Sequence, residues 1–139
     1  MKKTTLLVAL KCSVILYFAA CTSINKYAAT VSATPHITNG TWKVNLFIES
    51  QADKTAALKD YTLTFEPSGK VTAVKGKEKI TGNWAEDDIS KKLTISLKTD
   101  NAALAKLSDN WTVSNISNTG LSFQNAKDPS GGWLQITSL

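Results

Sequence analysis

The chain has 139 residues and a formal net charge of +5, from 16 basic residues against 11 acidic ones. All 16 are lysines; there is no arginine, one histidine (His36) and two cysteines (Cys12 and Cys21). One domain fits this length, the arginine-bearing basic stripe of a nucleic-acid binder is missing, and most metal and nucleophile chemistry lacks its residues.

Residues 1–3 form a short positive start, and residues 6–20 are mostly apolar, with Lys11 interrupting them. Charge, apolar core and small residues, in that order, make a secretory signal. The uninterrupted apolar stretch, residues 12–20, is too short for a membrane-spanning helix, which needs about 20 residues. These twenty residues hold three lysines and no acid, so from Cys21 onward 13 lysines face 11 acids, a net of +2. No nucleic-acid partner is expected.

The segment ends Phe18-Ala19-Ala20-Cys21. These four residues resemble the lipobox of bacterial lipoproteins, which implies a signal peptide over residues 1–20 and Cys21 as a lipidated N-terminus. The alternative is a plain signal cut later, for instance after Val31-Ser32-Ala33. Stable anchoring takes more than one acyl chain, at about 0.8 kcal/mol per buried CH₂. The resemblance supplies several chains of the palmitate type and makes the membrane the first expected partner. No acidic cluster follows Cys21, which favours the periplasmic face of the outer membrane over the cell surface. With Cys12 lost and Cys21 acylated, the folded part has no thiol and no disulfide.

Residues 21–39 read as a flexible tether, with His36 a solvated linker residue that has no second histidine to make a metal site. Residues 40–139 form the domain. Trp42, Val44, Leu46 and Ile48 alternate with polar residues, which predicts a first strand whose Phe47 points outward. Tyr61, Leu63 and Phe65 mark a second. Val71 to Val74 and Ile80 to Trp84 give a third and a fourth, and Leu93, Ile95 and Leu97 mark a fifth. Asp100 or Asn101 caps a helix of about two turns in which Leu104 and Leu107 face one way. Trp111 to Ile116, Leu121 to Phe123 and Trp133 to Thr137 complete eight strands. Glu66-Pro67-Ser68-Gly69, Asn118-Thr119-Gly120 and the Asp128 to Gly132 segment carry turn chemistry.

Eight meandering strands with hairpin-short links predict an all-β, antiparallel up-and-down barrel, because closure removes exposed edges. One short helix is expected between strands 5 and 6. Gly40-Thr41-Trp42 resembles the GxW signature of lipocalins. Together with the lipobox, the Tyr61-x-Leu63-x-Phe65 strand, the Pro67-Ser68-Gly69 turn and the Leu104-x-x-Leu107 helix, it is similar to small lipocalin-like lipoproteins. Lipocalins close the barrel floor with a late arginine packed on the first tryptophan, and this chain has none.

No catalytic, metal-binding or cofactor-binding residue stands out. The only histidine lies in the tether, so a Ser-His-acid site is not expected. Glu86-Asp87-Asp88 reads as a solvated turn answered by Lys91 and Lys92. Val, Ile, Leu, Phe, Trp and Tyr make up 28 of the 100 residues from Gly40 onward. An interior of eight short strands needs roughly 24 to 32 side chains, so these residues line the inside about once. Two readings follow. In the first, the barrel carries a small apolar ligand lined by Trp42, Tyr61, Phe65 and Trp84; in the second, it is a non-catalytic structural or interaction module with a solid core. The outward Phe47 is a candidate contact for a partner protein or membrane.

Overall fold

The first barrel strand, β1 (Thr41–Glu49), carries the closure of the whole sheet. In the computed structural model, which describes residues 32–139, β1 pairs antiparallel with β3 (Thr62–Phe65) on one side and β9 (Trp133–Ser138) on the other. Between them run β4 (Lys70–Lys75), β5 (Glu78–Glu86), β6 (Lys92–Leu97), β7 (Asn110–Ile116) and β8 (Gly120–Asn125), each beside its sequence neighbour. The result is the closed eight-stranded antiparallel barrel that the alternation predicts. A ninth, two-residue strand, β2 (Ala52–Asp53), folds back on the end of β1. The signal segment, Cys12, Cys21 and most of the tether lie outside the described residues.

Side-chain alternation follows the pleat except where bulges interrupt β1 and β7. Trp42 and Val44 are buried, and so is Phe47, at 2% exposure, while Leu46 and Ile48 are half-buried on the outer face. The expected outward Phe47 is therefore wrong. The cause is a bulge: Val44 pairs with Ile136 but Leu46 with Gln135, so Asn45 is an extra residue that shifts the phase by one. A second bulge lies between Val113 and Asn115 in β7.

β1 contacts β3 only over Thr41, Trp42 and Lys43. Beyond them the two strands separate, and a 3-10 turn (Thr55–Ala57) fills the gap. Its residues satisfy the backbone that β3 leaves free: the Phe47 amide donates to Thr55 Oγ1, and the Lys54 amide donates to the Phe47 carbonyl, both at 2.8 Å. The hairpin leading there turns through Ser50 and Gln51, both at positive φ (49° and 66°). That geometry favours Asn-Gly, and nothing in Ser-Gln announces it.

The helix α2 (Ala102–Ala105) lies between β6 and β7, the fifth and sixth barrel strands, as expected, but it is one turn rather than two and ends before Leu107. Asn101 caps it, its side-chain oxygen accepting from the Ala103 and Leu104 amides. Leu104 and Leu107 are buried together. At the other end of the barrel, the last part of the expected tether is folded. Helix α1 (Thr34–Ile37) begins with Pro35 in its first turn and buries Ala33 and Ile37 completely, while His36 stays exposed.

Gly82 shows how tightly the strands approach. A Cβ there would collide with the Ser96 carbonyl oxygen and lie 2.7 Å from the Leu97 Cα. Gly82→Ala should therefore destabilise the domain by about 2–3 kcal/mol or more, read as a lower midpoint in chemical denaturation. A midpoint equal to that of the wild type would contradict this backbone spacing.

Candidate functional site

The two ends of the barrel are built differently. The floor receives the start of β1, the β3–β4 turn and the β5–β6 hairpin, with α1 laid across it. Gly40, at φ +109°, lets the chain turn from α1 into β1, which gives the glycine of Gly40-Thr41-Trp42 its purpose. Trp42 then donates its indole N–H to the Ile37 carbonyl at 2.8 Å, tying α1 down. Trp84 donates to the Glu66 carbonyl at 2.9 Å and meets Phe65 edge-on, with ring centroids 5.9 Å apart.

Glu86 completes the floor, and it corrects the reading of the acidic cluster as simply solvated. Its carboxylate accepts from the Ser32 hydroxyl at 2.6 Å, the Ala33 amide at 2.8 Å, the Thr34 amide at 3.0 Å and the Thr34 hydroxyl. Burial works against its charged form, but the two hydroxyls and two amides outweigh that effect and hold its pKa below the ordinary value. A carboxylate at the first turn of a helix also complements the free N–H groups there. Asp87 does turn work as expected, accepting from the Ile89 and Ser90 amides.

The mouth, at the opposite end, is covered by α2, the 3-10 turn and the β8–β9 loop. Trp111 donates its indole N–H to the Leu107 carbonyl at 3.0 Å and packs edge-on against Phe47 at 6.2 Å. Beside α2, the Tyr61 hydroxyl donates to Glu78 at 2.7 Å and accepts from the Asn101 amide at 2.9 Å. The bond to Glu78, with burial adding to it, raises the Tyr61 pKa.

Two clefts open on this mouth. One, of about 210 Å³, is lined by Phe47, Ala57, Leu58, Ala102 and Ala103, with Glu49, Lys54 and Lys106 at its rim. The other, of about 280 Å³, has Phe47 and Trp111 among its lining residues, together with Glu49, Lys106, Asp109 and Lys127. A Lys106–Glu49 ion pair at 2.7 Å joins α2 to β1 and belongs to both clefts. Asp109, on the larger one, bonds the Asn125 amide at 2.9 Å and Lys127 at 3.0 Å. Its pKa is lowered, since these bonds and the Asn110 amide outweigh the opposing effect of burial.

Trp42, Tyr61, Phe65 and Trp84, expected as a ligand lining, are all buried at 7% exposure or less. They do not converge on one site. Trp42, Phe65 and Trp84 sit toward the floor, Tyr61 toward the mouth, and none of them lines either mouth cleft. Apart from Phe47, the apolar residues that line the smaller cleft, Ala57, Leu58, Ala102 and Ala103, belong to connections between strands, with no periodicity to mark them. Only the unusual length of those connections signals them. Among the described residues, no three His, Cys, Asp or Glu side chains group as metal ligands, and no helix is long and apolar enough to cross a membrane.

No protein-family model matches the chain, and no curated protein matches it. Among solved structures, the chain is similar to a DUF4847 family protein from Bacteroides vulgatus ATCC 8482. The match has a TM-score of 0.59 and 13% sequence identity, and it covers 78% of this chain and 98% of that one. At this identity the likeness concerns the fold alone.

The floor makes a pH prediction. A lowered carboxyl pKa contributes stability that is fully present above the ordinary value of 4.5 and is lost as pH falls through the lowered one. Glu86→Ala should cost about 1–3 kcal/mol near neutral pH, and its deficit should shrink below pH 4.5. Denaturation curves of both proteins across that range check it; a deficit independent of pH would contradict the role of the carboxylate.

Proposed function

We propose that the chain is a lipid-anchored, non-catalytic lipoprotein of the cell envelope that binds a small apolar ligand at the barrel mouth. The anchor is Cys21, the membrane is the outer one, and the periplasmic face is favoured. The observation that carries the ligand reading is the cleft between the 3-10 turn and α2, where Phe47, Ala57, Leu58, Ala102 and Ala103 gather an apolar surface on a polar-rimmed barrel end. Its volume of about 210 Å³ is below the 300–1,000 Å³ of sites for drug-sized ligands. A short acyl chain or a single ring suits it.

A second reading has an observation of its own. The indoles of Trp42, Trp84 and Trp111 each bond a backbone carbonyl at a barrel end, which is the work of a structural core. On that reading the protein is an interaction module, and the mouth is merely where closing segments meet.

Two measurements test these readings. Cys21→Ser should abolish acyl labelling and release the protein from membranes; a wild-type protein that is soluble and begins at Thr34 would overturn the anchor. Separately, the neutral single-ring probe toluene should bind the domain saturably at one per chain, read as saturable amide shifts at Phe47, Leu58 and Ala103. Ala57→Trp and Ala102→Trp, at exposed positions in the cleft, should block it with little change in stability, about 0.5 kcal/mol or less. Failure of the native domain to bind the probe would leave the interaction module.

A further inference from the structure

The mouth is not the only recess. On the outside of the barrel, β7, β8, β9 and β1 form a continuous face whose inward residues, Phe123, Leu134, Ile136 and Val44 among them, are buried. The intervening residues therefore face outward and stand in rows fixed by the register. One row runs from Gln124 through Trp133 to Ile48, and the next from Asn115 through Ser122 and Gln135 to Leu46. Trp133 is thus the one tryptophan on the outer face, and it is half-buried rather than enclosed.

Both flanks of the β8–β9 pair are bulged, at Asn45 in β1 and at Ser114 in β7. Bulges bend strands and re-aim side chains, and they recur beside binding sites. Here they border a cleft of about 180 Å³ lined by Asn45, Asn115, Ser122, Gln135 and Thr137, and no charged side chain lines it. Asn45 and Asn115 are exposed and Gln135 is half-buried. Their carboxamides are free among the described residues, unlike those of Asn101, Asn110 and Asn125, which bond Tyr61, Thr94 and Asp109.

We propose that this face is a binding site for a neutral saccharide of at least two rings. A carboxamide offers two donors and two acceptor lone pairs, which matches vicinal hydroxyls that both donate and accept. The absence of charge in the lining favours a neutral polar ligand over an ion. The aromatic neighbour supplies the other half of the chemistry. A pyranose has an apolar face of C–H groups, and these carry slight positive charge that suits the negative face of an indole ring. Trp133 and Gln135 are two residues apart on one strand, roughly 7 Å, so one ring lies on Trp133 and the next enters the cleft. The site is separate from the mouth and does not depend on the ligand proposed there.

Titration of the isotope-labelled domain with chitotriose and with maltotriose, each to about 20 mM, well above a millimolar dissociation constant, tests the site. At least one trisaccharide should give saturable amide shifts centred on Asn45, Asn115, Ser122 and Gln135, and bind roughly tenfold more tightly than its monosaccharide. Trp133→Ala should weaken binding roughly tenfold or more. Because that change also uncovers Ile48, Asn115→Ala provides a second variant at an exposed position, expected to weaken binding while the melting temperature is unchanged. No saturable shift with either trisaccharide would overturn the proposal. So would shifts centred on the mouth, or binding unaltered in Asn115→Ala and in a folded Trp133→Ala.

Discussion

The pairing of β1 with both β3 and β9 is the constraint from which the rest of the structure follows. A meander of eight strands leaves two edges unless its first and last strands meet, and β1 meets β9 from Trp42 to Ile48. Strict alternation along β1 would turn Phe47 outward and Leu46 and Ile48 inward. The bulge at Asn45 rephases the strand, so Trp42 and Val44 point inward at the floor and Phe47 points inward at the mouth. The same bulge puts Leu46 and Ile48 on the outer face, where Ile48 stands opposite Trp133. One extra residue thus shapes the core, the mouth and the outer surface together.

The barrel ends are fastened by interactions that a chain without arginine can make. Here Trp42 holds α1 through the Ile37 carbonyl, and Glu86 holds the start of α1 through two amides and two hydroxyls. Charge-assisted bonds of this kind are stronger than neutral ones. At the mouth, Trp111 holds α2 through the Leu107 carbonyl. Each interior indole therefore satisfies its N–H while fixing a closing segment, which explains why buried tryptophans are tolerated at both ends. The mouth differs because β1 and β3 part there. The 3-10 turn that repairs their backbone bonds brings Ala57 and Leu58 opposite Ala102 and Ala103, and the apolar cleft is the space left between them.

Much of this architecture is legible in the sequence because strand periodicity is a local signal. Tyr61-x-Leu63-x-Phe65 and Leu93-x-Ile95-x-Leu97 alternate without interruption, and the structure buries all six apolar residues. Asn101 and the Leu104–Leu107 spacing likewise announce α2. Three features are not legible, each for a physical reason. The bulge at Asn45 depends on the register with β9, some ninety residues away, so Phe47 reads as outward. The Ser50-Gln51 turn holds positive φ at residues that do not advertise it, and β2 passes unnoticed. Helix α1 is too short to carry periodicity, and its docking rests on Glu86, more than fifty residues further along. The expected ligand lining shows the same divide. Alternation identifies Trp42, Tyr61, Phe65 and Trp84 as interior, but only tertiary structure places Tyr61 toward one barrel end and the other three toward the opposite one.

The most direct test of this account is a set of nuclear Overhauser contacts across the closing seam in the isolated domain, residues 32–139. The account predicts contacts from the Phe47 ring to Leu134 and to the Trp111 indole, and from Val44 to Ile136, with β1 and β9 amides that exchange slowly. Contacts from Phe47 only to solvent-facing residues, or β9 amides that exchange as fast as those of the loops, would contradict a barrel closed through a rephased first strand.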